Sequence, residues 1–325
     1  MLENLRVSAS IVAPFLIYML IGIGLRKAGV LTDELASRIN GLLFKVLFPA
    51  NIFNSVYKSD VSSIFKSPIA PYAFCGTLAM VFFMTRIAKK LSPDAGTQGA
   101  IVHAGFRANV MLFALPIAQG IFGSEVTEVL VILTVVMMVN NFSAVPIMEH
   151  YSRKLRVQRG EETGDSKTDY KELFIHLFKT PILDAVVIGF IWSLLRIPMP
   201  ALGNTVINGL AGCVIPLAFM AMGAKLDFAK LKANSRIAFI VVLIKLVIAP
   251  AVFIILPIAA GWSERSIVAL ITAFGSPSAI VSYTMCENYD CNGELAAEIV
   301  TISSALALFT LFLWIFCFKQ LGIIS

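Results

Sequence analysis

Two short clusters of polar side chains interrupt otherwise apolar stretches. One reads His103-Ala104-Gly105-Phe106-Arg107-Ala108-Asn109; the other reads Ala273-Phe274-Gly275-Ser276-Pro277-Ser278-Ala279. Arg107 carries the sharpest chemistry. An Arg at the centre of a bilayer costs about 2.5–3.5 kcal/mol on insertion scales, so it needs a partner or a wet cavity. Its planar fork of donors matches a carboxylate bidentately. Two readings stand side by side: a grip on an anionic substrate, or a fixed pairing with a carboxylate or backbone carbonyls that gates or holds the fold. Asn109 and Ser278 add neutral hydrogen bonds, with Ser276 beside them. Pro277 removes a helical N–H and clashes with the preceding turn, and Gly275, Ser276 and Ser278 tolerate or re-satisfy the freed backbone.

The candidate site is therefore Arg107, Asn109, Ser276, Pro277 and Ser278, with Asn51 as a further lining residue. Asn51 and Asn54 come after Pro49, and interhelical hydrogen bonds account for them equally well. Asn140 and Asn141 read as packing glue. Lys45 and Lys245 snorkel or pair. Asp184 is either a proton site or half of a buried pair, and His103 is either a proton relay or an ordinary hydrogen-bonded histidine. The histidines are His103, His150 and His176, and the chain carries no HExxH, P-loop or GxSxG pattern. These residues support no enzyme, metal or cofactor reading. Coupling to protons, to sodium or to neither stays open.

The elements that must hold these residues are membrane spans. Of the 325 residues 58% are apolar and 14% charged, where a soluble domain carries about 25% charged; the mean hydropathy is +0.84. Apolar runs long enough to span recur at 7–27, 36–57, 68–88, 98–120, 127–150, 177–196, 203–224, 235–259, 265–287 and 295–318, and lipid admits such runs only as helices. With the N-terminus outside, Arg26, Lys27 and Arg38, then Arg86, Lys89 and Lys90, then the basic stretch from Arg153 to Lys179, and finally Lys225, Lys230, Lys232 and Arg236 all face the cytoplasm. Only Arg6, Lys58, Lys66, Arg196, Arg265 and Lys319 fall on the other side. The positive-inside rule thus puts both termini outside a multi-pass protein of the cell membrane. The net charge of +6 reports orientation in a lipid bilayer and not nucleic-acid binding.

The halves of the chain resemble each other at a shift of 167 or 168 residues. Ile39-Asn40-Gly41-Leu42 matches Ile207-Asn208-Gly209-Leu210, Pro49 matches Pro216, Pro14 and Ile21-Gly22 match Pro181 and Ile188-Gly189, and Phe106 matches Phe274. Five spans per half is an odd number, so the second half enters from the opposite face. The expected architecture is all-α and membrane-integral. It has ten helices as two inverted five-helix repeats (1–151 and 176–325), joined by a flexible cytoplasmic linker at 152–175. Inverted repeats mark secondary transporters, whose substrates bind at the midplane between interrupted helices. The shift sets Arg107–Asn109 against Gly275–Ser278, so spans 4 and 9 should break and cross. The N-termini of the resulting half-helices favour an anion.

These residues resemble the auxin efflux carrier family, which includes plant auxin carriers and bacterial malonate or malate permeases. Asn109 and Pro116 keep a family-like Asn-x6-Pro spacing with Arg107 two residues earlier. Pro277 through Tyr289 look like the family's ninth span, with Glu294-Leu295-Ala296-Ala297, an apolar tract and Trp314 after it. The resemblance implies a fold similar to bile-acid symporters and sodium/proton antiporters. Helices 1, 2, 6 and 7 would be a scaffold and helices 3–5 and 8–10 a moving transport domain. It also implies a homodimer, and an anion held where helices 4 and 9 cross. Ala108 stands where plant carriers have Pro, Ser282 replaces a second Pro, and the central loop is short; these departures favour a bacterial-type carrier. The expected function is secondary transport of a small organic anion, such as malate, malonate or an auxin-like acid, by elevator-type alternating access. The alternative is a passive anion channel or a ligand-sensing membrane protein on the same fold.

Overall fold

A computed structural model describes residues 2–58, 68–123, 126–160, 181–226 and 235–324. Its described residues are helical, linked by short turns. In chain order the helices are α1 (Leu2–Lys27), α2 (Asp33–Leu42), α3 (Phe48–Lys58), α4 (Ile69–Leu91), α5 (Ala95–Phe106), α6 (Val110–Phe122), α7 (Thr127–Gln158), α8 (Pro181–Leu194), α9 (Ala201–Lys225), α10 (Ser235–Leu243), α11 (Ala249–Ala259), α12 (Glu264–Phe274), α13 (Val281–Asn288) and α14 (Gly293–Gln320). Six helices of the described chain are long and apolar enough to cross a membrane: Asp33–Lys58, Ile69–Leu91, Thr127–Gln158, Ala201–Lys225, Arg236–Ala259 and Gly293–Gln320.

Two of those six are continuous only through a π-helical turn. Leu43–Leu47 joins α2 to α3, and Ile244–Ile248 joins α10 to α11. The cause is legible in the prolines just beyond, Pro49 and Pro250, which have no N–H to give the carbonyl four residues back. In each case the residue before the proline reaches back five positions instead, Phe48 to the Leu43 carbonyl and Ala249 to the Ile244 carbonyl. The Leu246 carbonyl, which Pro250 leaves without its usual donor, accepts the Trp314 indole N–H at 3.1 Å.

Most helices pack within two groups, α1–α3 with α8 and α9, and α4–α7 with α10–α13; α14 bridges them, packing on α1 as well as on the second group. α1 lies along α9, and α3 lies on α8 and α9. α4, α5 and α7 pack together, α12 packs on α6, α7 and α11, and α14 on α5, α10 and α13. Small residues set the closest approaches. A Cβ added to Gly22 would sit 2.1 Å from the Met220 carbonyl oxygen, and one added to Gly223 would sit 2.1 Å from the Met19 carbonyl oxygen. α1 and α9 therefore touch backbone to backbone, the arrangement small residues permit where no hydrophobic drive separates helix from lipid. At the α3–α8 contact, a Cβ on Gly189 would meet Val56 at 3.0 Å and the Phe53 carbonyl oxygen at 3.3 Å.

The sequence reading ends the first half at 151 and opens a flexible linker at 152. Helix α7 instead runs to Gln158. Ser152 and Leu155 are buried with Tyr151, so these residues do carry a packed face. Leu155 lies against Gly96, and the Gln158 side chain accepts the Ala95 N–H at 2.9 Å. From 161 through 175 the expected linker lies outside the described residues.

Candidate functional site

Helices α5 and α12 start conventionally. The Asp94 carboxylate accepts the Thr97 N–H at 2.6 Å and the Ser263 hydroxyl oxygen accepts the Ser266 N–H at 3.2 Å, each offsetting an orphan donor of the first turn. Both helices then stop short. α5 ends at Phe106 and its chain resumes as α6 at Val110; α12 ends at Phe274 and resumes as α13 at Val281. Neither α6 nor α13 has a side-chain cap at its start.

The two interruptions meet. The Asn109 N–H donates to the Pro277 carbonyl at 2.8 Å and the Ala279 N–H to the Arg107 carbonyl at 3.1 Å, so Ala108 and Ser278 pair as one antiparallel bridge. Backbone groups freed by the breaks are thus satisfied by each other, as they must be at membrane depth. Side chains complete the join. The Ser278 hydroxyl donates to the Ala104 carbonyl at 2.6 Å, and the Ser278 N–H donates to the Ser303 hydroxyl oxygen at 3.1 Å. The Ser276 hydroxyl donates to the Thr272 carbonyl at 2.5 Å. Gly275 has no room for a larger residue, since a Cβ there would lie 2.6 Å from the Ile271 carbonyl oxygen.

A cavity of about 80 Å³ opens beside this crossing. Arg107, Asn109, Val110 and Met111 line it from the first interruption and the start of α6, Ala279 and Val281 from the second, and Met137, Asn140 and Asn141 from α7. Phe44, on the π-helical turn after α2, lines it from the other helix group. Arg107 is half-buried. It donates to the Asn140 carbonyl at 3.2 Å and to the Asn141 side-chain oxygen at 2.7 Å. A guanidinium has five N–H donors, so its fork keeps capacity for a ligand. Asn109 is buried, lines the cavity, and makes no side-chain hydrogen bond among the described residues. Val110 and Met111, of the first turn of α6, line the same space; that turn has no side-chain cap, and the start of a helix favours negative charge.

The candidate residues thus divide. Arg107 and Asn109 line the cavity. Pro277 and Ser278 build the crossing, with the Ser278 hydroxyl spent on a backbone carbonyl. Ser276 is fully buried and bonded within its own chain segment. Asn51 is buried in α3 away from the cavity lining, its carbonyl accepting the Ser55 hydroxyl at 2.9 Å. Asn54 bonds Asn208 across α3 and α9 at 3.0 Å. Asp184 is exposed on α8. Three contributors escaped the sequence reading of the site. Asn140 and Asn141 hold Arg107 rather than merely gluing helices, and Phe44 is indistinguishable in sequence from any lipid-facing aromatic. The one available signal was the Pro49 that forces its π turn.

His103 is fully buried in α5 beside the crossing, edge-on to Phe106 at a ring separation of 5.5 Å. Neither ring nitrogen has a hydrogen-bond partner among the described residues. Leaving a buried polar group unpaired costs about 1–3 kcal/mol. We expect His103→Leu to leave the melting temperature of the purified protein unchanged or raise it; a fall of several degrees would mean that the imidazole is hydrogen-bonded in the folded protein.

An apolar helical bundle whose interrupted helices cross at a cationic, partly polar cavity is the build of a membrane transport protein. Comparison with known sequences gives the same class. The family model described as membrane transport protein matches residues 7–315, and the chain belongs to that family, the auxin efflux carriers. It is 25% identical over 315 residues to a protein of Methanothermobacter thermautotrophicus, covering 94% of this chain and 97% of the relative. It is 23% identical over 308 residues to one of Methanocaldococcus jannaschii, covering 92% and 95%. Both relatives are described as uncharacterized transporters.

Proposed function

We propose that the protein is a secondary transporter of a small organic anion, a carboxylate such as malate or malonate or an auxin-like acid, working by elevator-type alternating access. One observation carries this reading: Arg107 keeps donors beyond its two bonds in a cavity that also presents the Asn109 side-chain amide, which has no partner among the described residues, and the uncapped start of α6. All three favour negative charge or an oxygen acceptor, and the described residues of the lining include no carboxylate to compete.

The ten-span inverted repeat belongs to this reading. Its support is a contact that repeats at the sequence shift of 167: Gly22 against the Met220 carbonyl, and Gly189 against the Phe53 carbonyl. The scaffold is α1–α3 with α8 and α9, and the transport domain is α4–α7 with α10–α14. Phe44 from the scaffold lining a cavity otherwise built by the transport domain fits a site whose surroundings change as one group slides past the other. Both termini face outward at the cell membrane, and the protein is a homodimer through its scaffold.

Ligand-dependent melting of the detergent-solubilised protein tests the site. A ligand that binds only the folded state stabilises it by about 2.7 kcal/mol at a hundred times its Kd. A subset of malate, malonate, other dicarboxylates, monocarboxylates and indole-3-acetate should raise the melting temperature. Asn109→Ala, which removes one neutral hydrogen bond worth about 0.5–1.5 kcal/mol, should need several-fold more of the same acid. Equal shifts in the wild type and Asn109→Ala would take Asn109 out of the site.

A further inference from the structure

Lys245 plays no part in the cavity that Arg107 lines, yet it is the most deeply placed cation of the described chain. It sits on the π-helical turn Ile244–Ile248, 1% exposed, within a segment (Arg236–Ala259) whose 18-residue apolar stretch has a mean hydropathy of 3.0. No carboxylate pairs with it among the described residues. A Lys at that depth is costly and persists where a specific partner holds it. Its partner is the Gly105 carbonyl, to which Nζ donates at 2.9 Å.

That carbonyl belongs to the last turn of α5, the half-helix that ends at the crossing. The final carbonyls of a helix are its negative pole and lack intrahelical donors. Here the His103 carbonyl receives the Arg107 N–H and the Ala104 carbonyl the Ser278 hydroxyl, both neutral donors. The Gly105 carbonyl receives the Lys245 Nζ instead. An ammonium has three donors, and a void of only about 10 Å³ adjoins this one, lined also by Thr77, Ala108 and Phe274. Ala108 borders both that void and the cavity of Arg107, so the ammonium and the proposed anion both adjoin the crossing backbone at Ala108. Thr77, the residue that the repeat shift sets opposite Lys245, spends its hydroxyl on the Ala73 carbonyl of its own helix at 2.8 Å. The two related positions therefore differ by one charge.

In carriers with interrupted helices, unwound carbonyls and half-helix C-termini are where a coupling cation is coordinated. We infer that Lys245 is that cation in tethered form: its ammonium sits on the Gly105 carbonyl at the end of α5, so the carrier works without sodium. The inference rests on the anion-carrier reading, and the test separates the two.

The test is counterflow of an exchangeable acid in proteoliposomes, with sodium replaced by choline on both sides. Wild-type exchange should change by less than twofold. Lys245→Met, which fills the same space without charge, and Lys245→Ala should each lose at least tenfold. Ethylammonium should restore part of the loss in Lys245→Ala, where it finds room, and not in Lys245→Met. A wild-type carrier that stops in choline overturns the inference, as does Lys245→Met exchanging at the wild-type rate. Loss in Lys245→Ala that ethylammonium leaves untouched marks a packing role and also overturns it. Should Lys245→Ala fail to fold, the choline comparison and the methionine variant still decide. A wild type that exchanges no acid in either salt would instead reject the anion-carrier reading.

Discussion

Replacing Arg107 by Ala should reduce exchange of the transported acid by at least about a hundredfold while the protein still inserts and purifies as a single species. Hydrogen bonds to charged groups are worth about 1.5–3 kcal/mol each, and a bidentate grip on a carboxylate makes two of them. At 1.4 kcal/mol per tenfold, losing both exceeds a factor of a hundred. The fold should survive because Arg107 bonds the Asn140 carbonyl and the Asn141 amide at the edge of a cavity, where water can replace it. Arg107→Lys keeps the charge and loses the planar fork, so it should fall between wild type and Ala. Exchange at the wild-type rate in Arg107→Ala would leave Arg107 with only the structural role that its bonds to α7 already describe.

The second large effect concerns stability. Gly22→Ala and Gly223→Ala each place a methyl group 2.1 Å from a carbonyl oxygen of the facing helix, Met220 and Met19 respectively. Backbone cannot step aside as a side chain can, so α1 and α9 must separate along their length. Overpacking costs about 1–3 kcal/mol where side chains can adjust, and the rigid contact here should put each substitution at or above the upper end. Gly24→Ala is the internal control, because nothing lies within 4 Å of a Cβ at that position and Ala is the better helix former by about 1 kcal/mol. Size-exclusion profiles and melting temperatures should show Gly22→Ala and Gly223→Ala collapsing or melting well below wild type, with Gly24→Ala equal to it or higher. Parity between Gly22→Ala and Gly24→Ala would mean that the α1–α9 contact is looser than described.

The interruption of the fourth and ninth apolar runs was legible in the sequence for different reasons. Pro277 removes an N–H, and its effect is local. Arg107–Asn109 contains no proline, and only the repeat shift aligned it with the other break. Helix α7 passing residue 151 was hidden because its face is made of Tyr151, Ser152 and Leu155, too few apolar residues to stand out among arginines and lysines.

Which polar groups face the cavity was less legible. In an unwound segment the 3.6-residue period no longer says where a side chain points, so Ser276 and Ser278 read like Asn109 although their hydroxyls bond the Thr272 and Ala104 carbonyls. Asn140, Asn141 and Phe44 reach the site from distant helices, and nothing in their own neighbourhoods announces it. Lys245 is the plainest case. Its sequence context offers snorkelling or pairing, whereas its partner is a backbone carbonyl far along the chain, exposed as an acceptor only because α5 stops there.

Counterflow tests the central claim most directly. The protein is reconstituted into liposomes loaded with unlabelled malate or malonate, labelled acid is added outside, and uptake is followed with a panel of competing acids. The account predicts transient uptake above equilibrium that depends on the internal acid and that a subset of organic acids inhibits. Uptake that ignores the internal acid would contradict alternating access and favour a passive pore. No uptake of any organic acid by folded, correctly inserted protein would contradict the assignment of the cavity at the crossing to an anion.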